Sequence, residues 1–247
     1  MAHLVAVNAQ YHQALKVNKQ KAEEAIADQH MLPVVISEFL KLVVEFPILF
    51  SKSTETGRFL CIALLGFKEG ENLFWHAAKF NSLYSPLNAA RHPFFVGKSD
   101  ESDGESILCI DQQSAAISSI DGESLFTAQG QPSDYLNEIQ QILAELIAGE
   151  AQTEAYIDCL LGNELLVPLK LDISFGDKSQ IKIKGLYSID EDKLNNLSLS
   201  ALGALKQQGY LQTIYTQLAS LGQIYALIER RNKRLSQINP WLQVQPQ

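Results

Sequence analysis

The sequence predicts an α+β fold: a mostly antiparallel sheet packed against several helices, with a long C-terminal helix. Three observations carry this. Leu169, Leu171, Ile173 and Phe175 alternate with Lys170, Asp172 and Ser174, and Ile181 and Ile183 alternate with Lys182 and Lys184, around Gly176-Asp-Lys. That period of two is the pattern of a half-buried antiparallel hairpin. Arg58–Phe67 is apolar almost throughout and follows the turn residues Thr54-Glu-Thr-Gly57, which reads as a central strand covered on both faces. Apolar residues at 211, 214, 218, 221, 225, 228 and 235 alternate in steps of three and four, the seam of a long amphipathic helix.

The remaining elements follow in order. Residues 13–30 are rich in Lys, Gln, Glu and Ala and read as helical. Ser37 is placed to cap a short helix, Glu38 to Glu45, which Pro47 stops. Ile48–Lys52 reads as the strand before the Thr54–Gly57 turn. Residues 68–92 have no clear period, and long irregular segments in compact domains are often functional. Phe94–Gly97 and Ile107–Ile110 are short strands on either side of the acidic loop Ser99–Glu105. Pro132 opens a helix to about Ala148 with a stripe of Leu136, Ile139, Leu143 and Leu146; Gly149 ends or kinks it, and a second helix starts at Thr153 and runs to Gly162. Ser188-Ile-Asp-Glu191 fits a capping box, and Gly209 ends the helix before the last one. The basic residues Arg230, Arg231, Lys233 and Arg234 complement the dipole at the end of that last helix. By domain, residues 1–30 read as a helical arm, 31–237 as one domain and 238–247 as a tail.

Composition excludes several classes. The chain is 46% hydrophobic and 19% charged, enough to build a core, so long-range disorder is not expected. Its formal charge of -8 argues against nucleic acid or an anionic membrane as partner. The count of three cysteines, Cys61, Cys109 and Cys159, is odd, and each lies in an apolar run. They read as buried thiols in a reducing compartment, with neither a disulfide framework nor a zinc site. The N-terminus lacks a basic signal-peptide region and no window is long and apolar enough to span a bilayer, so the expected location is cytoplasmic.

No motif commits the chain to a reaction. Gly97-Lys-Ser99 resembles the end of a phosphate loop, but His92 stands where the first glycine is needed. The 99–105 loop, aligned on Gly104, puts Ser99 and Ile110 where calcium needs Asp and Glu. The histidines, 3, 12, 30, 76 and 92, share no metal-ligand spacing, so no metal and no cofactor is expected. The best local candidate for a site surrounds Arg91. A planar guanidinium beside Trp75, His76, Tyr84 and His92 could bind a carboxylate, phosphate or sugar. The same arginine could equally tie an irregular loop to backbone carbonyls.

A series of short motifs occurs in order: Phe46-Pro-Ile, Ala63-Leu-Leu-Gly66, Glu71-Asn-Leu-Phe74, Tyr84-x-Pro86, Arg91-x-Pro93-Phe94, Cys109-Ile-Asp111, Gly122-Glu-x-Leu-Phe126, Tyr187-x-Ile-Asp-Glu191-x-x-Leu194 and Gly209-Tyr-Leu to Leu218-x-Ser-Leu-Gly222. Over about residues 30–230 this resembles the SapC family, named for a protein associated with bacterial surface layers. Phe80 departs from the tryptophan expected there, and His92 from a basic or aromatic residue. The resemblance implies an accessory or binding protein of an envelope nutrient-uptake or surface-layer system, since members are often encoded beside TonB-dependent receptors in carbohydrate-uptake loci. It supplies no catalytic residues. The alternative is an enzyme that modifies a sugar or peptide around Arg91. The expected partner is a protein of such a system, and the 210–235 seam either covers the chain's own sheet or pairs with a second copy in a homodimer.

Overall fold

A computed structural model describes residues 3–98 and 106–238; the acidic loop 99–105 and the segment beyond 238 lie outside the described residues. The fold is α+β, with antiparallel sheets and a long C-terminal helix, as the sequence predicts. The chain divides into two compact units.

The first unit comprises Met1–Ala27, Trp75–Asn81 and Ser85–Ala148. Its main sheet has the order Leu4–Ala6, Ser106–Asp111, Phe94–Lys98, all antiparallel. A smaller one sets Lys16–Val17 between Ile117–Ser118 and Glu123–Ser124. The predicted helix across 13–30 is thus interrupted at its start: Lys16 and Val17 pair as strand, and the helix proper, Lys19–Glu23, is capped by the Asn18 side chain accepting the Lys21 N–H. The stripe Leu136, Ile139, Leu143 and Leu146 is buried as expected, and the buried Phe94 meets Tyr135 edge-on at 6.1 Å.

The second unit comprises Asp28–Phe74, Ser82–Tyr84 and Gly149–Gln247. Its five-stranded antiparallel sheet runs Leu166–Ser174, Gln180–Ile189, Ile48–Lys52, Phe59–Leu64, Met31–Pro33. The apolar strand Phe59–Leu64 is internal, and Cys61 to Leu65 are all buried. On one face Phe50 stacks with Tyr156 at 6.3 Å, Tyr156 donates to Gln217, and the Ser220 hydroxyl accepts the Ile48 N–H. Helices cover that face. The other face carries Leu49, Ser51, Ile62 and Leu64 by register.

Four local expectations are corrected. The helix after Val35 is closed by Glu38, fully buried, whose carboxylate accepts the Val35 N–H at 3.1 Å; a 3-10 turn, Ile36–Glu38, leads into Phe39–Leu42. Gly149 neither ends nor kinks a helix, for Asp134–Gly162 is one 29-residue helix. A Cβ at 149 would lie 2.8 Å from the Val35 side chain, so the glycine marks a close approach. Thr153 secures the same approach, donating to the Gly149 carbonyl and accepting the Ile36 N–H. Ser188 stays in its strand, and the following helix is capped by Asp190, which accepts from Lys193. The last helix forms two segments, Tyr210–Ser220 and Gln223–Ile238, bent at Leu221-Gly222.

Candidate functional site

The residues singled out around Arg91 fall into three places. Arg91 follows the helical turn Leu87–Ala90. Its Nε donates to Asn88 Oδ1 and its Nη1 to the Phe94 carbonyl, both at 2.8 Å, and the guanidinium lies 4.4 Å over the Phe95 ring. His92 meets the same ring edge-on at 5.8 Å, and a cis peptide joins it to Pro93. Burial, and then the Arg91 charge, push the His92 pKa down to about 4, so this imidazole is neutral near pH 7. Trp75 and His76 form a two-residue strand against Lys79–Phe80, with Trp75 half-buried and His76 exposed. Tyr84 belongs to the other unit, where its hydroxyl donates to Glu38 Oε2 and Lys41 lies 5.3 Å over its ring. The hydrogen bonds of Arg91 hold the turn and the start of the Phe94–Lys98 strand in register, the loop-tying role that a guanidinium's planar fork suits.

The cysteines offer no activated nucleophile. Cys61 and Cys109 are buried, Cys159 donates to Gln208, and burial raises all three thiols. Among the described residues no group of three His, Cys, Asp or Glu side chains could hold a metal ion.

The second unit carries a more site-like feature. Its long hairpin has a register shift between Leu169 and Leu171: Leu169 opposes Leu186 and Leu171 opposes Ile183, so Lys170 faces both Lys184 and Gly185. Gly185 takes φ +83, as an extra residue in one strand requires. The bulge restores Ile181, Ile183 and Leu186 to one face and bends the hairpin. The tip of the hairpin meets the C-terminal helix. Phe175 packs on Phe67 at 5.5 Å, the Arg231 guanidinium lies 4.1 Å over Phe175, and the Gly176 N–H donates to Asn232 Oδ1.

Beneath the bent hairpin lies a cavity of about 350 Å³. Its apolar lining is Met31, Leu64, Phe67, Ile183 and Leu186; its polar lining includes His30, Ser51, Glu69 and Lys184. Lys52 and Tyr187 also border it, but the Lys52 ammonium is directed over the Phe59 and Tyr187 rings, at 4.9 and 5.5 Å. The C-terminal helix is anchored by two arginines. Arg230 reaches Glu45 at 2.6 Å and covers Phe74, which stacks on Phe46; Arg231 reaches Glu71, which also accepts the Phe67 N–H. Sequence reasoning assigned these arginines to the helix dipole and missed their partners. Phe46, Glu71 and Phe74 were visible only as pieces of ordered motifs, and Glu45 only as the end of a predicted helix.

The geometry defines an α+β protein whose sheet unit holds a ligand-sized cavity beneath a curled hairpin. A family model for SapC matches residues 7–227, and the chain belongs to the SapC family. No curated protein and no solved structure matches it. Among the described residues no helix is long and apolar enough to cross a membrane.

Proposed function

We propose that this SapC-family chain is a non-catalytic binding or accessory protein that serves an envelope nutrient-uptake or surface-layer system from the cytoplasmic side, through a protein partner and a small ligand. The observation that supports it is the cavity under the hairpin. It has the lower end of the volume range of small-molecule sites, an apolar floor and a few polar groups at its border. Arg91, in contrast, spends two guanidinium donors and its ring face on its own loop.

The test is made in the native host. Deleting the gene is expected to slow growth on a carbohydrate whose uptake the partner system serves, and restoring a chain with Leu64→Trp, which fills the cavity, is expected not to recover it. Full recovery by that variant, or turnover of a substrate by the purified chain, would overturn the reading. Circular dichroism of the variant confirms that it is folded.

A further inference from the structure

The underside of the long hairpin is incompletely covered. Leu171 opposes Ile183 and Ile173 opposes Ile181 across the two strands, on the face that also holds Leu186. Ile173 and Leu186 are buried, whereas Leu171, Ile181 and Ile183 are half-buried. The opposite face carries Lys170, Asp172, Lys182 and Lys184, all exposed. A two-stranded ribbon alternates its faces in this way. The apolar row is thus the side turned toward the cavity, where Ile183 and Leu186 join Leu64 and Phe67 in the lining.

The C-terminal helix ends beside this row. Phe175 at the hairpin tip stands between the Arg231 guanidinium, 4.1 Å away, and the Phe67 ring, 5.5 Å away. Leu227 and Arg231 are buried and Leu235 is half-buried. At a spacing of four these three lie on one side of the helix, so its covered side continues into the last turns. The helix ends at Ile238, about 9 Å beyond the Asn232 contact with Gly176 at 1.5 Å per residue.

The chain continues as Asn239-Pro-Trp-Leu-Gln-Val-Gln-Pro-Gln247. Pro240 disfavours a helical conformation for Asn239. No side chain in this segment is charged, in a chain that is 19% charged, and Trp241, Leu242 and Val244 are apolar. At about 3.3 Å per extended residue, Trp241 has a reach of roughly 10 Å from Ile238 and Val244 one of roughly 20 Å. That spans the way back past the hairpin tip to Phe67.

We propose that residues 239–247 fold back along the underside of the hairpin and place the Trp241 ring in the cavity, so that the chain covers its own site. The cavity, about 350 Å³, holds roughly a dozen heavy atoms at about 30 Å³ each, enough for one indole. A buried indole N–H needs an acceptor, and the Ser51 hydroxyl borders the cavity. An uncharged occupant leaves Lys184 and Glu69, both exposed at the border, to solvent. The proposal rests on the reading of the cavity as a binding site and adds its regulation. A ligand competes there with a segment whose effective concentration is on the order of millimolar.

The test uses the full chain with Trp75→Phe, which leaves Trp241 as its only tryptophan. The emission of Trp241 is expected to be blue-shifted and shielded from acrylamide. It should become that of a water-exposed indole in Ile183→Asp, which puts a charge in the half-buried lining. Fluorotryptophan in the parent chain, with Trp241→Phe to assign the resonance, gives the same readout without the Trp75 variant. Removing residues 239–247 is expected to shift the amides of Ser51, Leu64–Phe67 and Ile183–Leu186, and a peptide of those nine residues should reverse the shifts. A water-exposed Trp241 in the parent would overturn the proposal and leave the binding reading standing, since growth of the host with Leu64→Trp judges that separately. A buried Trp241 whose removal leaves those amides unmoved, or whose emission reddens on dilution, would assign it to another surface or to a second copy and would also overturn the proposal.

Discussion

The guanidinium of Arg231 lies 4.1 Å above the ring of Phe175, joining the C-terminal helix to the tip of the long hairpin. Arg231 is 9% exposed, its Nη1 stands 3.6 Å from Glu71 Oε2, and that Nη1 has no hydrogen bond. The stacking and the charge pair thus hold a desolvated cation whose hydrogen-bonding capacity is incompletely used. Such a group is costly to leave alone and costly to remove, because Glu71 is equally buried.

Arg231→Ala is expected to destabilise the chain by about 3–5 kcal/mol, the cost of leaving a buried carboxylate unpaired. Arg231→Ala with Glu71→Gln should recover part of that, since the stranded charge is gone. Urea unfolding of the two variants checks it. A single variant as stable as the parent would mean that the hairpin tip is held by Phe175 and Phe67 alone.

Arg91→Lys keeps the charge and loses the fork that serves Asn88 and Phe94 together. A loss of about 1–3 kcal/mol follows from one or two charge-assisted hydrogen bonds. An unchanged melting curve would refute the loop-tying role.

Gly149→Ala tests close approach against helix propensity. In an exposed helix the change would stabilise by about 1 kcal/mol. Here the new methyl meets Val35, which is 3% exposed, and overpacking should cost about 1–3 kcal/mol. The double variant with Val35→Ala makes room for the methyl, and a double-mutant cycle should show a positive coupling. Additive effects would separate the two sites.

His92 sets a pH dependence. Its folded pKa, pushed down to about 4, lies below the ordinary imidazole value of 6.5. The unfolded chain therefore binds more protons between those values, and stability rises with pH across that window. The contribution is present above about pH 6.5, is lost progressively toward pH 4, and amounts to at most about 3 kcal/mol. In His92→Gln the difference in stability between pH 4.5 and pH 7.5 should shrink by most of that amount, up to about 2.5 kcal/mol. An identical pH profile would show that His92 titrates normally.

The seam of the last helix divides at its bend. Ile214 is buried, Leu218 and Ile228 are half-buried, but Tyr225 is 76% exposed, and the buried residue of the second segment is Leu227, outside the predicted seam. Leu218→Asp is expected to unfold the chain, because its segment packs on the sheet through Ile214 and Ser220. A folded monomer arising from a parental dimer, seen by light scattering with circular dichroism, would instead assign the seam to a second copy.

Elements whose reason is local were legible in the sequence. The alternation at Leu169–Phe175 and Ile181–Ile183 located the hairpin, the unbroken run after Gly57 located an internal strand, and the stripe from Leu136 to Leu146 located a buried helical face, because periodicity records which side of an element meets the core. The ordered motifs were enough to point to the family. What no local pattern contains is the identity of partners far apart in the chain. Gly149 reads as a stop until Val35 is found 2.8 Å from its missing Cβ. Arg230 and Arg231 read as dipole partners until the fold delivers Glu45 and Glu71 from more than 150 residues upstream. The cavity has the same origin. Its lining comes from strands distant in sequence, and it includes Lys184 and Gly185 at the register shift of the hairpin. Burial and bending are properties of the packed chain, and only the tertiary structure decided them.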